Sequence, residues 1–303
     1  MTATPPVSDS GDAPPLGDLA AATAVFSAVR PRLFGIAYRM LGTVSDAEDI
    51  VQETWLRWQG YDRTTVQDPA AFLATTTTRL AINLMQSARV RRESYVGPWL
   101  PEPVDTSADP ALGAERGEAL SFAMLVLLEK LTPTERAAYV LRAAFDYSYA
   151  QIAEVVQSSE VSARKLFSRA KQHLAAAQHE PVAPKEQRRL LDAFIAAAQT
   201  GDLDSLERLL TEDVVSYSDG GGVVRASRIP VIGRDHVSKF VHAFAERFWQ
   251  GVTVAAVEAN GQPSAALSRD GSLVAVVSVV ATPSGIDQVL WMMNPEKLAG
   301  LTR

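Results

Sequence analysis

The sequence has no cysteine. That excludes a disulfide scaffold, a thiolate zinc site and a cysteine nucleophile. Histidine is nearly as scarce. His173, His179, His236 and His242 show no H-x-x-x-H spacing, so no metal site is expected. Long uninterrupted apolar runs are missing too. The longest, near Leu120–Leu128 and Leu273–Ala281, fall short of the roughly 20 residues that span a bilayer. The start of the chain has neither a basic n-region nor an apolar h-region. It reads TPPVSDSGDAPPLGD, a Pro/Gly/Ser/Asp tail. A soluble cytoplasmic protein without membrane association or cofactor is the expectation. Lys and Arg are absent from 1–23 and from 95–114. Those stretches hold Asp9, Asp12, Asp18, Glu102, Asp105 and Asp109, which account for the whole net charge of −6. The rest of the chain is neutral, so the acidic balance does not argue against nucleic-acid binding.

What is present suits folded domains. Apolar residues make up 47% and charged residues 21% of the 303 positions, enough for more than one core. Proline-rich breaks fall at Gly97–Pro103 and Glu180–Pro184. Proline restricts its own backbone and that of its predecessor, so each cluster interrupts helix. The expected layout is a disordered tail over 1–23 and a helical module over 24–95. A linker over 96–114, a second helical module over 115–179 and a third module over 185–303 follow.

Ser45-Asp46-Ala47-Glu48, Thr132-Pro133-Thr134-Glu135 and Ser148-Tyr149-Ala150-Gln151 read as capping boxes that open helices. The third module changes character. Helices over 186–200, 203–210 and 235–249 alternate with β-rich runs at 213–218, 251–258, 265–268 with 273–281, and 286–293. The turn signals are Asp219-Gly220-Gly221-Gly222, Asn260-Gly261, Asp270-Gly271 and Ser284-Gly285. Helices against a curved, mostly antiparallel sheet are expected, an α+β fold.

Two segments carry cations at helical spacing. Residues 149–174 place Ile152, Ala153 and Val156 on one side of a short helix and break at Gln157-Ser158-Ser159. They resume with Ala163, Leu166, Phe167, Ala170 and Leu174 on one face. Arg164, Lys165, Arg169 and Lys171 occupy the other faces, with no acid from Val161 to Leu174. This is a helix-turn-helix pattern whose second helix enters a major groove. Gln157 stands where the motif usually has glycine. An ordinary hairpin with a solvated basic face has the same pattern. Residues 68–93 gather Arg79, Arg89, Arg91 and Arg92 toward a helix end. Asn83 and the hydroxyls of the Thr run 75–78 suit an opened strand. A basic C-terminus complementing its helix dipole explains the same charges. Two such modules joined by a linker suit two separated DNA elements. The acid-rich stretch 46–53 would repel DNA and suits a basic protein surface.

Over about 24–179 these residues resemble an extracytoplasmic-function (ECF) RNA polymerase sigma factor. LFGIAYRMLGTVSDAEDIVQETWLRW is similar to the start of the sigma-2 domain. RLAINLMQSARVRRE is similar to its −10 helices, and the 149–174 pair to the sigma-4 helix-turn-helix. WLPEP at 99–103, DGGG at 219–222 and NPEKL at 294–298 resemble the subgroup with a SnoaL-like C-terminal domain. The lysine usual after DGGG is Val223 here, and Asn83, Leu84 and Gln86 replace residues usual near the −10 helix. The implied fold is multidomain: two all-α sigma domains (a sigma-2 helical bundle and a sigma-4 helix-turn-helix) plus an α+β, NTF2-like C-terminal domain.

The implied function is promoter recognition at −35 and −10 and transcription initiation, with no covalent chemistry of its own. The implied partners are core RNA polymerase and promoter DNA. Asp46, Glu48, Asp49, Gln52 and Glu53 would meet the polymerase. Arg79, Asn83, Arg89, Arg91 and Arg92 would lie at the melted −10 region. Ser162, Arg164, Lys165, Arg169 and Lys171 would lie on the −35 element. The C-terminal domain would regulate the sigma core in cis, through Trp99, Leu100 and Pro101 of the linker, Asp219, Gly220, Gly221 and Gly222, and Asn294, Pro295, Glu296 and Lys297. Glu296 and Lys297, following the last strand, are expected to be exposed.

Two other readings fit parts of the chain. One is a one-component helix-turn-helix regulator with an effector cavity. The other is an enzyme of the ketosteroid-isomerase or polyketide-cyclase kind, with Tyr217, Asp219, Asp235, His236 and His242 as polar candidates. Asp219 is more simply a turn residue whose following glycines supply positive φ, and Asp235 a helix-start partner. A small ligand of the C-terminal cavity is left unknown, as is the oligomeric state.

Overall fold

The computed structural model describes residues 16–93, 95–104, 121–175 and 182–302. The expected tail up to 15 and the linker stretch 105–120 lie outside the described residues. The first helical module consists of α1 (Leu16–Leu41), α2 (Val44–Gln59) and α3 (Pro69–Glu93). Helix α1 reaches back into the stretch expected to be tail, and packing explains why. Ala22 is buried, and its carbonyl accepts the indole N–H of Trp58 at 3.2 Å. By length and composition Leu19–Leu41 is apolar enough to cross a membrane, which a search for uninterrupted runs overlooked. Leu33, Ile36, Ala37, Met40 and Leu41 of that stretch are fully buried in protein. Helix α2 begins before Ser45. Thr43 is its N-cap and donates its hydroxyl to Asp46 at 2.6 Å, so the expected box at Ser45 does not form.

The second helical module consists of α4 (Phe122–Leu128), α5 (Pro133–Phe145), α6 (Tyr149–Val155) and α7 (Glu160–Ala175). The boxes at Thr132 and Ser148 both form. Helices α6 and α7 make the expected helix-turn-helix. Gln157 takes φ +54 in the turn, a conformation that costs a residue with a side chain about 1–2 kcal/mol.

The two helical modules are not held apart, contrary to the expectation from the linker. One apolar cluster runs from Ala22 of α1 to Leu174 of α7. Arg136 of α5 is fully buried and donates Nε to the Arg39 carbonyl of α1 at 2.8 Å. Burial pulls its guanidinium down to about 9, still charged at neutral pH, and Glu129 pairs with it at 2.5 Å.

The C-terminal domain runs α8 (Pro184–Thr200), α9 (Leu203–Leu209), β1 (Leu210–Asp219), β2 (Val231–Ile232), α10 (Arg234–Trp249), β3 (Val252–Ala259), β4 (Gln262–Arg269), β5 (Ser272–Thr282), β6 (Gly285–Met292) and α11 (Pro295–Leu298). The strand order is β2-β1-β6-β5-β4-β3, with β1 and β6 parallel and every other pair antiparallel. This is the α+β layout that the resemblance implied. Alternation along the strands divides the sheet into two apolar faces. Val277, Val279, Val289 and Trp291 pack against α8 and α10. Val276, Leu290 and Met292 face the other way, where Leu100 of the linker and Phe122 of α4 cover them.

Candidate functional site

Helix α7 buries Ala163, Ala170 and Leu174, which leaves Ser162, Arg164, Lys165, Arg169 and Lys171 exposed. Ser159 caps its start, accepting from Ser162 N at 3.2 Å. Arg164 lies 3.2 Å from Glu160 and 4.5 Å from the Tyr149 ring centre. An exposed i,i+4 pair of this kind holds little energy, so the guanidinium is available to a phosphate.

The expected −10 residues are placed differently. Arg79 donates to the carbonyls of Val155 and Glu154 at 3.1 and 2.7 Å, so here it clasps the end of α6. Asn83 is exposed. Three of the four threonines do not offer their hydroxyls to a strand. Thr76 and Thr78 donate to the carbonyls of Phe72 and Ala74, and Thr77 lies 3.1 Å from Thr54 in the core. This corrects the reading of the Thr run: back-bonding to the preceding turn satisfies hydroxyls inside a helix. Arg89, Arg91 and Arg92 belong to α3, and their side chains lie outside the described residues. On α2, the buried positions Ala47, Ile50, Val51 and Thr54 turn Asp49 and Gln52 to solvent. Glu48 pairs with Arg30 at 2.6 Å and Glu53 with Arg57 at 2.8 Å.

The densest polar cluster lies where the linker meets the C-terminal domain. Asp219, at the end of β1, is fully buried. Its Oδ1 accepts from the Tyr95 hydroxyl at 2.5 Å and from Gly221 N at 3.1 Å. Its Oδ2 accepts from Leu100 N at 2.9 Å and from Lys297 Nζ at 2.7 Å. Lys297 also donates to the Leu100 carbonyl at 2.5 Å and sits 4.2 Å from the Trp99 ring centre. Lys297 is therefore buried, not exposed as expected, because α11 folds it back under the linker. Glu296 is exposed, and Asn294 caps α11 by accepting from Glu296 N at 3.0 Å. Asn294 also donates to the Tyr95 hydroxyl at 3.0 Å. Gly221 and Gly222 have φ of +63° and +75°. Gly220 does not, and is required for space: a Cβ there would lie 2.4 Å from the Val224 carbonyl oxygen. Pro101 is buried beside Leu100. Burial, and then the bond to Asp219, pushes the Tyr95 hydroxyl well above the ordinary tyrosine value.

The linker is fastened equally to the first helical module. Glu102 donates its N–H to the Gly42 carbonyl at 2.8 Å, and its carboxylate accepts from Val44 N at 2.8 Å. The Tyr38 hydroxyl donates to the Glu102 carbonyl and accepts from Asn260, both at 2.6 Å. Asn260 exchanges hydrogen bonds with the Val104 backbone at 2.9 and 3.1 Å. Residues 95–104 thus form a seated strap between α1 and the outer face of the sheet. Sequence reasoning missed Tyr38, Tyr95 and Asn260. Asn260-Gly261 signalled only a turn, and nothing local links position 38 to position 260.

Burial raises the Glu102 carboxyl above its ordinary 4.5. In the window between 4.5 and the raised value the folded chain holds more protons than the unfolded one, so stability falls as pH climbs through it. Glu102→Gln keeps an acceptor for Val44 and removes the titration. The melting temperature of the variant relative to the parent is expected to rise from pH 4.5 to pH 7. A difference that shrinks over this range would contradict the assignment.

The enzyme candidates do not converge. Asp235 pairs with Lys239 at 2.6 Å on the solvent side of α10, His236 lies 3.0 Å from the Ile232 carbonyl, and His242 lies 2.6 Å from the Gly201 carbonyl. Tyr217 packs on the outer face of the sheet, and Asp219 belongs to the strap.

Models of Sigma-70 region 2 and Sigma-70 region 4 match residues 25–91 and 121–174. The chain is 37% identical over 289 residues to the ECF RNA polymerase sigma factor SigJ of Mycobacterium tuberculosis, covering 91% of this chain and 92% of that protein. It is 29% identical over 283 residues to the probable ECF RNA polymerase sigma factor SigI of the same organism, covering 91% and 94%. The crystal structure of M. tuberculosis SigJ superposes with a TM-score of 0.75 at 32% identity, covering 92% of this chain and 98% of that one.

Proposed function

This chain belongs to the ECF RNA polymerase sigma factor family, and on that footing we propose that its C-terminal domain limits promoter engagement through the strap at 95–104. The exposed α7 residues Ser162, Arg164, Lys165, Arg169 and Lys171 take the −35 element. Arg79, Asn83, Arg89, Arg91 and Arg92 of α3 serve the −10 region, and the acidic side of α2 (Asp46, Glu48, Asp49, Gln52 and Glu53) meets core polymerase. The chain acts in the cytoplasm and leaves covalent chemistry to the polymerase.

One observation carries the regulatory part: Arg79, needed at −10, is engaged by α6. Elements centred about 25 base pairs apart are separated by roughly 85 Å of duplex at 3.4 Å per step. Two modules held in hydrogen-bonding contact part to take both elements. With 95–104 seated, the 17 residues from 105 to 121 can extend over at most about 58 Å. Released from 95 onward the connection reaches about 92 Å. Unseating the strap therefore lengthens the connection between the two modules by roughly 34 Å.

Run-off transcription with purified core polymerase tests the function. RNA starts at a defined site are expected only when the full chain is added, and identical starts without it would contradict the reading. The salt dependence of the polymerase complex tests the α7 assignment. Replacing Arg169 and Lys171 by alanine is expected to lower the log–log salt slope by about 0.9 for each phosphate that the variant leaves unneutralised.

A further inference from the structure

The C-terminal domain holds a cavity of about 160 Å³ between α10 and the 225–227 segment. Aromatic rings dominate its wall: Phe240, Phe244, Phe248, Trp249 and Trp291, with Met293. Two polar groups on this inner side lack partners. Trp291 is 7% exposed, and its indole N–H is buried without an acceptor. The Ser216 hydroxyl, on the neighbouring strand, is likewise unsatisfied. A buried donor without an acceptor costs about 1–3 kcal/mol, and a ring seated beside Trp291 offers that N–H an aromatic π face. A second recess of about 400 Å³ adjoins the first and shares Arg225, Phe244, Phe248 and Met293. It adds Arg247 and Arg269. Arg269 is tied to the carbonyls of Phe248 and Gln250. Arg225 and Arg247 are exposed and have no ion pair among the described residues. No carboxylate or histidine is among the described residues lining either space.

We propose that this cavity binds a small aryl carboxylate, ring inward and carboxylate at Arg225 and Arg247. The volume suits it, since a cavity of about 150 Å³ accommodates a benzene ring and the adjoining recess leaves room for a second fused ring toward the rim. The wall suits it because aromatic rings pack edge-to-face, as Phe248 and Trp291 already do at 88°. The rim suits it because guanidinium groups pair with a carboxylate in a fixed fork. Without a general base in its lining, the site holds such a ligand and does not turn it over.

Occupancy reaches the strap through one short segment. Arg225, Ala226 and Ser227 form a wall of the cavity. From the other side Gly97 of the strap approaches so closely that a Cβ there would lie 3.5 Å from the Ser227 carbonyl oxygen. A Cβ on Gly222 would lie 3.1 Å from Val96. A ligand that orders 225–227 therefore steadies the surface on which the strap rests.

Binding needs no polymerase, so its failure and the failure of the sigma reading are separable. The test is isothermal titration calorimetry of the full chain with 2-naphthoate and with the uncharged 2-naphthalenemethanol. Naphthoate is expected to saturate one site at least tenfold more tightly than the alcohol. Arg225→Ala with Arg247→Ala, both on the surface, is expected to abolish that preference and leave the weak apolar binding. Trp291→Phe is expected to weaken naphthoate severalfold. Amide exchange over 95–104 is expected to slow at least threefold when naphthoate is bound. Equal affinities for acid and alcohol, or no saturable binding of either, would overturn the site. Tight naphthoate binding with unchanged exchange would overturn its link to the strap.

Discussion

Lys297→Met is expected to cost about 3–5 kcal/mol of the stability of the domain arrangement, because Asp219 stays buried and loses its only counter-charge among the described residues. The loss comes less from the ion pair itself than from what remains. Asp219 would keep Tyr95, Leu100 N and Gly221 N as donors but would carry an uncompensated charge out of water. The double variant Asp219→Asn with Lys297→Met removes both charges and is expected to recover most of the loss. Thermal unfolding of the parent, the two single variants and the double variant gives the coupling directly. Equal losses in the single and double variants would show that the pair acts only as packing.

Leu100→Ala is expected to cost about 2–5 kcal/mol. Leu100 is fully buried in one cluster with Val276, Leu290 and Met292, and its truncation leaves a gap there. The cluster that joins the helical modules does not include Leu100, so α1–α7 stay folded. With Trp99→Ala added, the cation–π contact to Lys297 disappears as well. Because the strap then leaves its seat more readily, run-off output with core polymerase is expected to change several-fold. Unchanged output from a folded double variant would detach the strap from regulation.

Local chemistry made part of this legible. The α6–α7 turn, the boxes at Thr132 and Ser148, and the five long strands announced themselves through spacing and turn residues, because those signals act within a few positions. β2 escaped because two residues, Val231 and Ile232, carry no period. The start of α1 escaped because its composition is that of a tail, and only the indole of Trp58, 36 positions away, makes Ala22 part of a core. Lys297 escaped for a related reason: a lysine after a strand reads as solvated until a buried carboxylate 78 positions away is known to face it. WLPEP, DGGG and NPEKL came together in the structure, yet only their resemblance to a family singled them out. Taken alone they signal a stiff linker and two turns.

The absence of cysteine permits a direct test of whether the helical modules must part. Arg32 of α1 donates to the Phe145 carbonyl at the end of α5 at 3.2 Å, and Asp146 beside it is exposed. Arg32→Cys with Asp146→Cys therefore places a thiol on each module across their shared boundary, where a short bismaleimide joins them, and touches none of the residues assigned to promoter or polymerase. The unlinked variant is expected to support run-off transcription from a promoter used by the parent, and the linked form to start no RNA there. Full initiation from the linked form would contradict the parting of the modules.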